Sequence, residues 1–220
     1  MKVAFQIDKP VLIVGGGPVG MTMALCLAKR GIPSYLVELR SAETLPDVKC
    51  NHISSRSMEL FRSLGISQDL RAAGLPDNYP HDVSYRTSTL GEEIARIHIP
   101  GRNTRLTDHS GPDGNWPTPE PPHRINQRYI EPILRRHVQK QSLITCLYRH
   151  QVLSFTQDEN QVTAQIQNLD QPDSQALTLS AAYMVGCDGG RSMVRKGMGA
   201  KLVGDEVVQR VQSTCIRAPH

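Results

Sequence analysis

The chain has 220 residues, of which 39% are hydrophobic and 21% charged, with 17 Gly and 15 Pro. This ordinary globular composition excludes a coiled coil, a collagen and a disordered tail. Lys and Arg number 25 against 21 Asp and Glu, a net charge of +4 with no basic run longer than two residues, which argues against nucleic acid while suiting a protein that holds phosphates.

No apolar run approaches the ~18 residues that a spanning helix needs, and Met1–Pro10 carries no signal-like apolar stretch, so a cytoplasmic protein without a membrane span is expected. The five cysteines are scattered and form no C-x-x-C pair, which reads as free thiols in a reducing compartment.

Val11–Val14 is a continuous apolar run ending at Gly15 and predicts a strand buried on both faces. Pro18 suits the first turn of a helix, and Met21, Ala24, Leu25 and Ala28 continue it to Arg30 and Gly31. Ser34–Glu38 predicts a second strand, completing a strand-helix-strand unit. Helices follow over Ser55–Leu64 and Ser67–Ala73, then paired antiparallel strands over Asp82–Thr89 and Glu92–Ile99.

Six prolines among the 24 residues of Pro100–His123 forbid regular structure there. Asn126 is a plausible cap for a helix reaching about Lys140, in which Pro132 requires either a later start or a distorted first turn. Leu143–Thr145, Val152–Phe155, Val162–Ile166 and Leu177–Leu179 alternate with period two and predict an antiparallel meander. Ala182–Val185 is again an apolar run, followed by a short helix through Lys196, and Val207–Ile216 reads as a last strand.

Gly15-Gly16-Gly17-Pro18-Val19-Gly20 satisfies G-x-G-x-x-G between a predicted strand and a predicted helix. In that setting Gly15 allows the sharp turn, Gly17 lets a pyrophosphate approach the backbone, and Gly20 lets helix and strand pack closely. Glu38 stands 18 residues beyond Gly20, where a carboxylate can accept the ribose hydroxyls of an adenosine and repels a 2′-phosphate. Arg40 either lies along that adenosine or is exposed. These residues specify a dinucleotide fold without specifying which dinucleotide, and an NAD-dependent dehydrogenase would explain them equally.

Asp188-Gly189-Gly190-Arg191-Ser192-Met193-Val194-Arg195 resembles the D-G-x-x-S-x-h-R fingerprint of the flavin-dependent aromatic hydroxylases, a segment that a dehydrogenase leaves without a purpose. Arg56-Ser57-Met58-Glu59 resembles the R-[ST]-x-E helix of that family, and Gln127 with Glu131 and Leu134 its Q-x-x-x-E-x-x-L helix. The resemblance implies that Asp188 and Arg195 serve the FAD ribose and a transient nicotinamide nucleotide, and the glycine at Gly189 lets the ligand approach closely. It implies that Arg56 approaches the FAD phosphates and that Gln127 lies along the ribityl chain.

The fold implied is α/β: a Rossmann-like FAD-binding domain with a parallel sheet and an inserted antiparallel meander over residues 1–200, with 80–123 as a substrate-side insertion. Residues 201–220 would open a substrate domain that is cut short, because the family's third fingerprint, Gly-Asp-Ala-x-His, is absent. Cofactor FAD, reductant NADH or NADPH, and a small aromatic substrate with oxygen follow from the resemblance, with no side-chain catalyst and no metal. The alternative is a non-catalytic flavin-binding domain whose last strand is covered by a second copy or a complementing chain. Solvated or structural roles are expected for His52, His81, His98, His109, His123, His137 and His150.

Overall fold

The computed structural model describes residues 9–210 except 47, 50, 113 and 206, and the chain divides into two compact units, 1–48 with 138–220 and 49–137.

The first unit is built on a four-stranded parallel sheet, β5-β2-β1-β9. Strand β1, Val11–Val14, is buried along its whole length. Helix α1, Pro18–Ala28, returns the chain to β2, Ser34–Glu38, and buries Met21, Ala24, Leu25 and Ala28. The register pairs Val14 with Val37 on one side and with Gly186 of β9, Tyr183–Gly186, on the other. The carboxyl ends of β1, β2 and β9 therefore lie side by side.

One sequence expectation is corrected here. Leu143–Thr145 does not begin the meander: β5, Ile144–Tyr148, lies parallel to β2 in the main sheet, pairing Ile144 with Ser34 and Tyr148 with Glu38. An edge strand alternates like a meander strand because only part of it is covered, so period alone assigns it to the wrong sheet.

The antiparallel sheet has three strands, β6 (His150–Gln157), β7 (Val162–Asn168) and β8 (Leu177–Ala181). Its Val152, Ala164, Ile166, Leu179 and Ala181 form one core cluster with Leu12, Val14 and Val37 of the parallel sheet and with Val194 of helix α5, Met193–Gly197. Arg149, at φ +57, makes the tight connection from β5 into β6. Residues 207–210 are not a strand, and the rest of the strand expected to Ile216 lies outside the described residues.

In the second unit, α2 (Ser55–Ser63) starts at Ser54, whose hydroxyl accepts the Ser57 amide, and buries Met58 and Phe61. Helix α3, Ser67–Ala72, buries Leu70, and β3 (Val83–Arg86) with β4 (Glu93–Ile97) forms the expected antiparallel ribbon. Helix α4, Gln127–Gln139, contains Pro132 and begins one residue after Asn126, whose side chain accepts the Arg128 amide at 3.0 Å. The proline thus sits beyond the first turn, where its ring removes one helical hydrogen bond without ending the helix.

Among its described residues the proline-rich segment is organised without helix or strand. His123 exchanges backbone hydrogen bonds with Ile53 at 2.8 and 2.9 Å, and Trp116 stacks on His109 while the buried Arg105 lies 5.1 Å over its ring.

Candidate dinucleotide site

The turn that ends β1 is held from both sides: the Gly15 amide donates to the Val37 carbonyl at 2.8 Å and the Cys187 amide to the Val14 carbonyl at 2.7 Å. Gly15 has φ +105, and a Cβ there would lie 2.4 Å from the Cys187 carbonyl oxygen. A Cβ on Gly20 would lie 1.9 Å from the Gly15 oxygen, so the start of α1 packs on the turn only as glycine. Gly17 differs: its backbone is ordinary, φ −73 and ψ −175, and apart from its own chain neighbours nothing lies within 4 Å of a Cβ placed on it.

Helix α1 begins at Pro18 with no side-chain cap and no acidic residue in its first turn. Its amides and the positive end of its dipole are left for an anion. Pro18 and Val19 form this first turn, with Val19 exposed.

Glu38 ends β2 beside that turn and is buried. Its Oε2 accepts the Gly16 amide at 2.7 Å, while Oε1 accepts the Arg40 amide at 2.8 Å and Arg40 Nε at 3.1 Å. A Cβ on Gly16 would approach Glu38 Cβ to 2.8 Å. Sequence reasoning misses Gly16 as a functional residue; three consecutive glycines are the available signal, and the pairing partner of Gly16 is set only by the β1–β2 register.

Beyond β9, Asp188 closes on its own helix. Oδ1 accepts the Ser192 hydroxyl at 2.6 Å, and Oδ2 accepts the Met193 amide at 2.7 Å and the Val194 amide at 3.4 Å. Ser192 in turn accepts the Arg195 amide at 2.9 Å, and Arg195 Nη1 donates to the Gly190 carbonyl at 2.9 Å. Gly189, at φ +79, makes the turn into this knot. Burial, with the nearby Asp188 charge, pushes the Cys187 thiol above its ordinary range.

The first unit therefore collects Gly15, Gly17, Pro18, Val19, Gly20, Glu38, Arg40, Asp188, Gly189 and Arg195 around the carboxyl ends of β1, β2 and β9. Arg56 and Gln127 belong to the second unit. Arg56, exposed in the first turn of α2, pairs with Glu59 at 2.6 Å. Gln127 opens α4 and donates from Nε2 to Oε1 of the fully buried Glu131 at 2.7 Å. Among the described residues no group of three or more His, Cys, Asp or Glu is arranged to hold a metal ion, and no helix is long and apolar enough to cross a membrane. Cys26, Cys146 and Cys187 are not in disulfides.

A parallel sheet whose strand order turns outward on both sides of β1, with a glycine turn and an uncapped helix at its carboxyl edge, defines a dinucleotide-binding protein. The model of the FAD binding domain family matches residues 8–219, and the chain belongs to that family. FAD is its cofactor.

The chain is 31% identical over 198 residues to phenol 2-monooxygenase of Pseudomonas sp. (strain EST1001), a match that covers 89% of this chain and 31% of that protein. It is 30% identical over 225 residues to tetracenomycin A2 monooxygenase-dioxygenase of Streptomyces glaucescens, covering 96% of this chain and 38% of that one. Among solved structures, the flavin-dependent monooxygenase PieE in complex with FAD and substrate matches with a TM-score of 0.77 at 30% identity, covering 90% of this chain and 33% of that one. The substrate-free rebeccamycin biosynthetic enzyme RebC matches with a TM-score of 0.74 at 34% identity, covering 87% and 35%. The chain spans about a third of the length of these relatives.

The residues present fit the pyrophosphate of FAD. Gly17 leaves open space where its neighbours Gly15, Gly16 and Gly20 are closed in by the protein itself, and the helix behind it is uncapped.

Proposed function

We propose that the chain is the FAD-binding part of a flavin monooxygenase that hydroxylates an aromatic, phenolic substrate with oxygen, using NADH or NADPH as reductant. The observation that carries this reading is the open backbone at Gly17 before an uncapped α1, in a chain similar to monooxygenases named for phenolic substrates. A cytoplasmic location, where reduced nicotinamide nucleotides are supplied, belongs to the same reading.

When bound, FAD supplies the redox chemistry, accepting two electrons from the nicotinamide nucleotide and delivering them to oxygen, so that one oxygen atom enters the ring and the other leaves as water. The chain's residues bind and orient. The amides after Gly17 receive the pyrophosphate, with Pro18, Val19 and Gly20 shaping that turn. Glu38 retains one lone pair on Oε2 after its bonds to Gly16 and Arg40, enough for one ribose hydroxyl, and its charge disfavours a 2′-phosphate. Asp188 orders the turn at Gly189 and Arg195 by capping α5, and Arg56 and Gln127 are assigned to the flavin on the likeness of their helices to the family's. Residues 1–200 would form the flavin domain, with 80–123 on the substrate side.

The test is direct. The purified chain, incubated with FAD and freed of excess, should retain about one flavin per chain; a sample that retains none overturns the reading. Oxidation of NADH or NADPH stimulated by a phenol then separates turnover from flavin binding alone.

A further inference from the structure

We infer that Glu131 is a positioning residue that fixes which end of the Gln127 amide is presented to the flavin. The inference rests on the reading of Gln127 as a flavin contact. A primary amide is ambidextrous, with an acceptor oxygen and a donor nitrogen of nearly equal shape, and a free glutamine offers either one to a ligand. Gln127 is not free. Its Nε2 donates at 2.7 Å to Oε1 of Glu131, one helical turn further along α4.

Glu131 is fully buried, its neighbours Ile130, Ile133 and Leu134 belong to the core, and a carboxylate only accepts. Turning the amide over would set Gln127 Oε1 against Glu131 Oε1, two acceptors in contact in a place that water does not reach. The nitrogen is therefore committed inward, and Gln127 Oε1 is the group left for a ligand. The ligand chemistry selected is a hydrogen-bond donor, and in a flavin the donors along the chain between ring and phosphate are hydroxyls. Gln127 is half-buried, so the residue is partly open to such a group.

The amino-acid pattern alone is silent on this, since Gln and Glu four apart on a helix read as an ordinary surface pair. Only the complete burial of Glu131 turns the pair into a constraint.

The experiment is a double-mutant cycle on the full chain, read as FAD affinity from quenching of flavin fluorescence. E131Q keeps the shape but lets residue 131 donate as well as accept, so FAD should bind about five- to tenfold more weakly, the worth of one hydrogen bond. In a Q127A background E131Q should have no further effect, because its route to the flavin has been removed. Equal losses in both backgrounds mean a merely structural Glu131 and overturn the proposal. The exchanged pair Q127E with E131Q gives an independent arm. There the carboxylate at position 127 accepts from the amide at position 131 and still presents an oxygen, so FAD affinity should return to within about threefold of the unaltered chain. Failure of that recovery, with an unchanged melting temperature, also overturns it. Absence of FAD binding by the unaltered chain instead overturns the assignment of Gln127 on which the proposal stands.

Discussion

The Gly16 amide donates to Glu38 Oε2 at 2.7 Å, and a Cβ on Gly16 would come within 2.8 Å of Glu38 Cβ. The glycine turn and the carboxylate at the end of β2 are therefore one unit: the middle glycine of the triplet makes room for the acid, and the acid holds the turn. G16A should displace Glu38 and lower FAD affinity at least about tenfold, and E38A should do so while also leaving the Gly16 amide without its acceptor. For E38A a stability loss of about 1–3 kcal/mol is expected, measured by urea unfolding.

The glycines of the motif separate by what surrounds them. G15A places a side chain at φ +105 against the Cys187 carbonyl, and should cost about 2–4 kcal/mol of stability. G17A meets nothing in the protein, so the flavin-free melting temperature should stay within about 2 °C while FAD affinity falls at least about tenfold. A loss of stability in G17A equal to that in G15A would show that the open space is not a ligand's.

Asp188 and Ser192 share one cap on α5. D188A and S192A should each destabilise by about 1–2 kcal/mol, and the double substitution by clearly less than their sum, because each removes the same 2.6 Å bond. Urea unfolding of the four proteins measures this coupling. Strict additivity would mean that the two residues act separately.

His123 gives the second unit a pH dependence. Burial pushes its pKa from 6.5 down to about 4, helped by the nearby Arg71, Arg102 and His81 charges and opposed by its bond to the Leu70 carbonyl at 3.0 Å. Between those values the unfolded chain binds the proton and the folded chain does not, so stability rises with pH across this window. It is complete above about pH 6.5 and falls by up to about 3 kcal/mol as the pH drops toward 4. Urea unfolding between about pH 4 and 7 should show this slope, and H123Q should flatten it.

Trp116 is the single tryptophan and stacks on His109 at 4.9 Å with Arg105 on its ring. Its emission therefore reports the proline-rich segment. H109A should shift the emission to longer wavelength as water reaches the indole, with the far-ultraviolet circular dichroism unchanged; an unshifted spectrum would mean that the stack does not order the segment.

Much of this is legible in the residues alone. Val11–Val14, the helix from Pro18 and Ser34–Glu38 stand where the apolar periods and the glycine turn put them, because buried parallel strands and a crossover helix are written in local sequence. The strand at Ile144–Tyr148 is placed in the wrong sheet by its pattern, since alternation tells which face is covered and not which neighbour is paired. Gly16 escapes notice in the sequence because its partner is 22 residues away.

The sequence by itself determined the strand-helix-strand unit, the glycine turn, the acid at the end of β2 and the family, all of which depend on residue type and short spacing. The tertiary structure alone decided what each polar group touches. It closed Asp188 onto its own helix, divided the Glu38 oxygens between Gly16 and Arg40, and buried Glu131 beneath Gln127. Hydrogen-bond partners depend on register, rotamer and burial, which arise only when distant segments pack and exclude water.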